Sequence, residues 1–152
     1  MRYQKSGFSL LELLIILGVT AILIGLAGFA FAKERQKGEL VRISQTFGQN
    51  IRLARAQALA KSNNMRIQID NHNQYSIEEW NSTNNTWRRI KRVKLNGKGR
   101  FDSDSVNLGI TFDSRGYAEF SPQNIPLIIT NDSDRQELII SMTGNIVIRD
   151  NP

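Results

Sequence analysis

Hydrophobic and polar positions along the chain follow three successive patterns. From Phe8 to Ala32 the residues are apolar, small or hydroxylic, and a single ionisable side chain, Glu12, interrupts the run near its start. From Lys33 to Lys61 the composition turns polar, yet Leu40, Ile43, Phe47, Ile51, Ala54 and Ala58 recur at steps of three and four, an apolar stripe along one helical face. Beyond Ser62 the period falls to two. Met65-Arg66-Ile67-Gln68-Ile69-Asp70, a turn at Asn71-His72-Asn73 and a return over Tyr75 to Trp80 read as a hairpin. Extended segments follow at Trp87 to Leu95, Gly109 to Phe112, Tyr117 to Phe120, Leu127 to Thr130, Glu137 to Met142 and Ile146 to Arg149. One helix followed by many short strands predicts an α+β fold, the helix packed on antiparallel sheets.

No proline precedes Pro122, so nothing stops one helix from running from Phe8 to Lys61. Its first part, twenty-five residues, reaches about 37 Å, enough to cross a hydrocarbon core about 30 Å thick. Gly18, Gly25 and Gly28 each weaken it by up to about 1 kcal/mol relative to alanine, and a bend or partial melting is expected there.

A carboxylate inside a spanning segment costs a few kcal/mol unless it is paired, so Glu12 is a functional candidate. The leader Met1-Arg2-Tyr3-Gln4-Lys5-Ser6-Gly7 carries two cations that hold the N-terminus on the cytoplasmic side. A secretory signal would be cut beyond the apolar run, but no Ala-x-Ala followed by polar sequence stands there. A cut after Gly7 instead frees an amine at Phe8, and pairing of that ammonium with a carboxylate offsets much of the desolvation each suffers alone. The pair forms between neighbouring molecules when Glu12 of one meets Phe8 of the next.

The string Lys5-Ser6-Gly7-Phe8-Ser9-Leu10-Leu11-Glu12-Leu13 resembles the type III signal of type IV prepilins. That resemblance implies cleavage between Gly7 and Phe8 by a prepilin peptidase, N-methylation of Phe8, and a role for Glu12 in assembly. Further along, Ile110-Thr111-Phe112-Asp113-Ser114-Arg115-Gly116-Tyr117-Ala118 is similar to the Ile-x-Phe-x-x-x-Gly segment of GspH/FimT minor pilins and pseudopilins, and Glu137-Leu138-Ile139-Ile140-Ser141-x-x-Gly144 to their closing hairpin. The implied architecture is the type IV pilin-like lollipop. Its parts would be a leader at 1–7, a transmembrane and filament-core helix at 8–32, an amphipathic continuation at 33–61 and a β-rich domain at 62–152. Pilins commonly have proline where this chain has Phe29, so proline-driven melting is not expected here. The implied partners are other pilins or pseudopilins, the peptidase and an inner-membrane assembly platform. The expected location is the inner membrane, crossed once, with the C-terminal domain periplasmic or extracellular, and then the assembled fibre.

Composition changes this picture in two places. Cysteine is absent from the 152 residues, so packing alone must hold a domain of about 120 residues. Major pilins commonly close a loop with a disulfide, so its absence leans towards a minor subunit. Charge is also unevenly spread: residues 33–100 hold fifteen Lys and Arg against five acids, and residues 101–152 three against eight. Arg88, Arg89, Lys91, Arg92, Lys94, Lys98 and Arg100 form a run without an acid, near Trp80 and Trp87. Such a run can neutralise phosphates while the indoles stack on bases, which makes a DNA-binding minor pilin for DNA uptake the alternative function. It can equally be a soluble strand edge, with the tryptophans in the core. Family members linked to DNA uptake tend to carry Gly-Arg-x-Arg near the C-terminus, where this chain has Gly144-Asn145-Ile146-Val147.

Enzymatic chemistry has little to stand on. His72 is the single histidine and falls in a predicted turn, there is no Gly-x-Ser-x-Gly elbow and no thiol, and no cofactor is expected. Asp102-Ser103-Asp104 and Asp132-Ser133-Asp134 offer oxygens of the sort calcium takes, but neither continues as an EF-hand, so turn formation is the expected role and no metal site is assigned.

Overall fold

The computed structural model describes residues 9–123, 126–131 and 134–151, so the scissile pair Gly7 and Phe8 lies outside the described residues. The chain divides into two units, Met1–Arg35 and Gln36–Pro152. A single helix, α1 (Leu10–Lys61), is assigned through both, without a break at Gly18, Gly25 or Gly28. The expected bend or melting therefore does not appear in its hydrogen bonding: each glycine loses entropy, but a long apolar helix retains its internal ladder.

In the first unit, Leu10–Gly28 has a mean hydropathy of 2.6 and is long and apolar enough to cross a membrane. Its large side chains, from Leu10 to Leu26, face outward from the chain. Thr20 donates its hydroxyl to Ile16 O at 2.6 Å, so that polar group is satisfied within the helix.

The second unit folds around the amphipathic half of α1. All six residues of the predicted stripe, Leu40 to Ala58, are buried. Against them lie two antiparallel sheets. The first has the order β3 (Thr86–Lys94), β2 (Gln74–Asn81), β1 (Met65–Asn71), β5 (Gly109–Phe112), β6 (Ala118–Ser121). The second has the order β4 (Arg100–Phe101), β7 (Leu127–Thr130), β8 (Arg135–Ile140), β9 (Ile146–Asn151). Met65, Ile67 and Ile69 alternate inward along β1, as the period of two requires. Phe47 anchors the centre, meeting Tyr75 edge-on at 4.7 Å and Phe101 at 5.2 Å between ring centroids. The Tyr75 hydroxyl accepts from Asn50 Nδ2 at 2.6 Å, while burial pushes its pKa up to about 12 against that hydrogen bond.

Two elements were not predicted, the two-residue β4 and a short 3₁₀ turn at Ser103–Ser105. Both depend on distant pairing: β4 exists because Phe101 pairs with Ile129, and Ser105 Oγ receives Ile128 N–H at 2.9 Å.

The two glycine turns named in the sequence close over one side chain. Gly116 and Gly144 have φ of +79° and +75°, a region that side-chain-bearing residues avoid. Arg55 of α1 donates Nε–H to Gly116 O at 3.0 Å, and a Cβ on Gly144 would stand 2.5 Å from its Cδ. The hairpins β5–β6 and β8–β9, one from each sheet, thus meet on α1. In the first of them Asp113 accepts from the backbone N–H groups of Tyr117 and Arg115, which holds its carboxyl below the usual aspartate range.

Candidate functional site

At the N-terminus of α1, Ser9 Oγ accepts the Leu11 N–H at 3.3 Å and Ser9 O accepts the Glu12 N–H at 3.1 Å. Ser9-Leu10-Leu11-Glu12 therefore has the sequence of a capping box, with Glu12 in the first helical turn, where the helix dipole favours a negative charge. That local role was missed in reading the sequence, although Ser-x-x-Glu is its signature. Glu12 is exposed, and among the described residues none forms an ion pair with it. Its first-turn position supplies a helix end that tolerates a carboxylate and leaves its oxygens open to a group from outside.

The basic run is less free than its sequence suggests. β3 pairs with β2 in a register that sets Arg88 opposite Glu79 and Arg89 opposite Glu78, with Ile90 as an extra residue where the pairing shifts. Successive strand residues point to opposite faces, so the two neighbouring acids serve different partners. Glu79, buried, accepts from Lys61 Nζ of α1 at 3.0 Å and from Arg88 Nη2 at 2.5 Å. Those two hydrogen bonds, Lys61 first, hold its carboxyl below the usual glutamate range. Glu78, also buried, accepts from Arg66 Nη2 at 2.5 Å, while Arg89 stands 3.7 Å from it and 3.9 Å from Asp70. Ser76 ties the group together by donating to Asp70 at 2.9 Å.

Trp80 and Trp87 face each other across β2 and β3, edge to face at 5.2 Å, and the Arg66 guanidinium lies 4.3 Å over the Trp87 ring. They are half-buried, neither core nor open stacking platforms. Arg88 and Arg89 thus hold buried acids, while Lys91, Arg92 and Lys94 are exposed along the outer strand. Lys98 and Arg100 follow, Arg100 within β4 of the other sheet, so the seven cations are not one continuous strand.

The remaining candidates have structural employment. His72 sits in the β1–β2 turn, its Nδ1 3.0 Å from Phe101 O, and its own carbonyl accepts the Phe101 N–H at 2.7 Å, which ties β4 to the hairpin. Asp102 caps the 3₁₀ turn through Ser103 N–H at 2.6 Å and pairs with Arg135. Asp132 and Ser133 lie outside the described residues. Among the described residues no cluster of three or more His, Asp or Glu side chains could hold a metal ion.

Residues 44–144, from the buried half of α1 to the β8–β9 turn, match the family model described as Type II transport protein GspH. The chain belongs to the GspH family. Residues 2–28 also match the prokaryotic N-terminal methylation motif, the stretch that holds Gly7, Phe8 and Glu12. Among solved structures, the chain is similar to the minor pseudopilin EpsH from the type 2 secretion system of Vibrio cholerae. One EpsH structure aligns with a TM-score of 0.58 and 14% identity over 74% of this chain and 97% of that one. A second EpsH crystal structure gives 0.54 and 11% over 72% and 92%. At such identity the likeness concerns the fold, a long helix against antiparallel sheets, as expected of a pilin-like chain. No curated protein sequence matches the chain. Membership of this family, together with the methylation motif, makes the GspH-like protein a structural subunit of a type II secretion pseudopilus or a type IV pilus.

Proposed function

We propose that this GspH-family chain is a minor subunit, made as a membrane-anchored precursor, cut after Gly7 by a prepilin peptidase, methylated at Phe8 and drawn into a helical filament through the first half of α1. The observation that carries the reading is Glu12: one carboxylate, exposed in the first turn of a helix that holds no other charged residue through Gly28. An isolated acid there costs a few kcal/mol in lipid and is retained because the Phe8 amine of an adjacent subunit neutralises it in the fibre. The basic leader supports an orientation with the C-terminal domain across the inner membrane from the cytoplasm.

Glu12→Ala tests this directly. The variant is expected to reach the membrane fraction at the level of the parent and to be lost from sheared or purified filaments. Incorporation at the parent's level would remove the role given to Glu12.

A nucleic-acid reading rests on Lys91, Arg92 and Lys94, with Lys98 and Arg100 beyond them. It has less support, because Arg88 and Arg89 are engaged by Glu79, Glu78 and Asp70, and the tryptophans by each other and Arg66.

A further inference from the structure

Tyr75 and Val93 stand opposite each other in the β2–β3 ladder, and Tyr75 meets Phe47 of α1. Between that pair and Arg42, Ile43 and Thr46 of α1 lies a cavity of about 120 Å³, bounded beyond Val93 by Lys94, Leu95 and Asn96. One water needs about 10–15 Å³ of such space, so there is room for a group of several heavy atoms. Arg42 and Lys94, both exposed, stand at its mouth.

The walls combine an apolar floor with unused donors. Ile43 belongs to the core, and Val93 and Leu95 pack against it. Tyr75, 1% exposed, accepts from Asn50 Nδ2 at 2.6 Å. The same nitrogen donates to Thr46 O at 3.2 Å, and because a carbonyl can only accept, the amide is fixed with its nitrogen towards Tyr75. The tyrosine proton must therefore find another acceptor, and the described residues supply none. Burial pushes the phenol up to about 12, so the proton stays in place as a donor. Arg42 and Lys94 come from different elements and, unlike Arg88 and Arg89, form no ion pair among the described residues. Glu39, the nearest acid along α1, packs against Gly97 instead. Two cations and a buried hydroxyl call for an anion, but a phosphate would press its oxygens onto Ile43, Val93 and Leu95.

We propose that this cavity binds a carboxylate carried on a short apolar stem. The stem lies on Ile43, Val93 and Leu95, the two oxygens sit between Arg42 and Lys94, and the Tyr75 hydroxyl donates to one of them. Such a group arrives either as a free short-chain acid or as a glutamate side chain of an adjacent subunit, the latter source resting on the filament reading above.

The test is a titration of the full chain in detergent micelles with butyrate, read from the amide NMR shifts of residues 42–46 and 93–96. Butyrate is expected to bind at least about tenfold more tightly than acetate, which lacks two of its methylenes, and than butyramide, which keeps the stem without the charge. Arg42→Gln and Lys94→Gln are each expected to weaken binding about tenfold, and Tyr75→Phe at least about threefold. Arg52→Gln, at an exposed cation of α1 outside the cavity, is expected to leave binding unchanged. The absence of a saturable shift at those amides overturns the site. Equal binding of butyrate and inorganic phosphate overturns the carboxylate with its stem, and equal weakening by Arg52→Gln reduces the effect to the net charge of the chain and overturns it as well. Carbodiimide treatment of intact filaments then separates the two sources. Coupling of Lys94 to a neighbouring subunit's glutamate assigns the protein-borne group, whereas an uncoupled Lys94 in a chain that binds butyrate assigns the free acid. Absence of the chain from filaments overturns the subunit reading and leaves the titration to decide the site.

Discussion

Glu79 shows how much one residue can depend on register. It is buried between a helix lysine and a strand arginine, and the hydrogen bonds from Lys61 and Arg88 lower its pKa. A carboxyl with a depressed folded-state pKa contributes stability that is present above its unfolded value, near 4.5, and is lost as the pH falls through the folded value. Glu79→Gln is therefore expected to cost about 1–2 kcal/mol at neutral pH and to flatten the loss of stability below pH 4.5 or so, read from urea midpoints across the acid range. The charges of this network were legible in the sequence, but their pairing was not. Whether Arg89 meets an acid depends on the shift between Ile77 and Glu78, and alternation then sends Glu78 and Glu79 to opposite faces. Capping by Ser9 and the seat of Arg55 under Gly116 and Gly144 were missed for different reasons. The first signal was present and overlooked, whereas the second requires knowing that two hairpins from separate sheets meet on one helix.

At the scale of elements, α1 was the easiest to read, because the change from unbroken apolar sequence to a three-and-four stripe reports two different surroundings of one helix. The stripe predicts its own energetics. Phe47 is fully buried and touches two aromatic rings, so Phe47→Ala is expected to destabilise the second unit by about 3–5 kcal/mol, whereas Leu53→Ala, at a side chain 47% exposed, should change thermal stability far less. Equal losses at the two positions would mean that the helix is not held by this face. The larger strands were legible from alternation and turn residues, with edges shifted by a residue or two at several ends. β4 was invisible because two residues carry no period, and its pairing with β7 spans nearly thirty positions.

At the scale of the molecule, the chain joins a unit that can be understood alone to one that cannot. Gln36–Pro152 has its own core of helix and two sheets, and needs no disulfide to close it. In the first unit the large apolar side chains from Leu10 to Leu26 are exposed in the single chain, an arrangement that is stable either in lipid or against other copies of such a helix. The proposed passage from one surrounding to the other depends on chemistry at Gly7 and Phe8, because only cutting there brings a free amine within reach of an acid like Glu12. The most direct test is intact mass measurement of the protein taken from filaments of its native host. A chain that begins at Phe8 and carries one added methyl group is the predicted result, and one that still begins at Met1 in normal filaments would contradict the account.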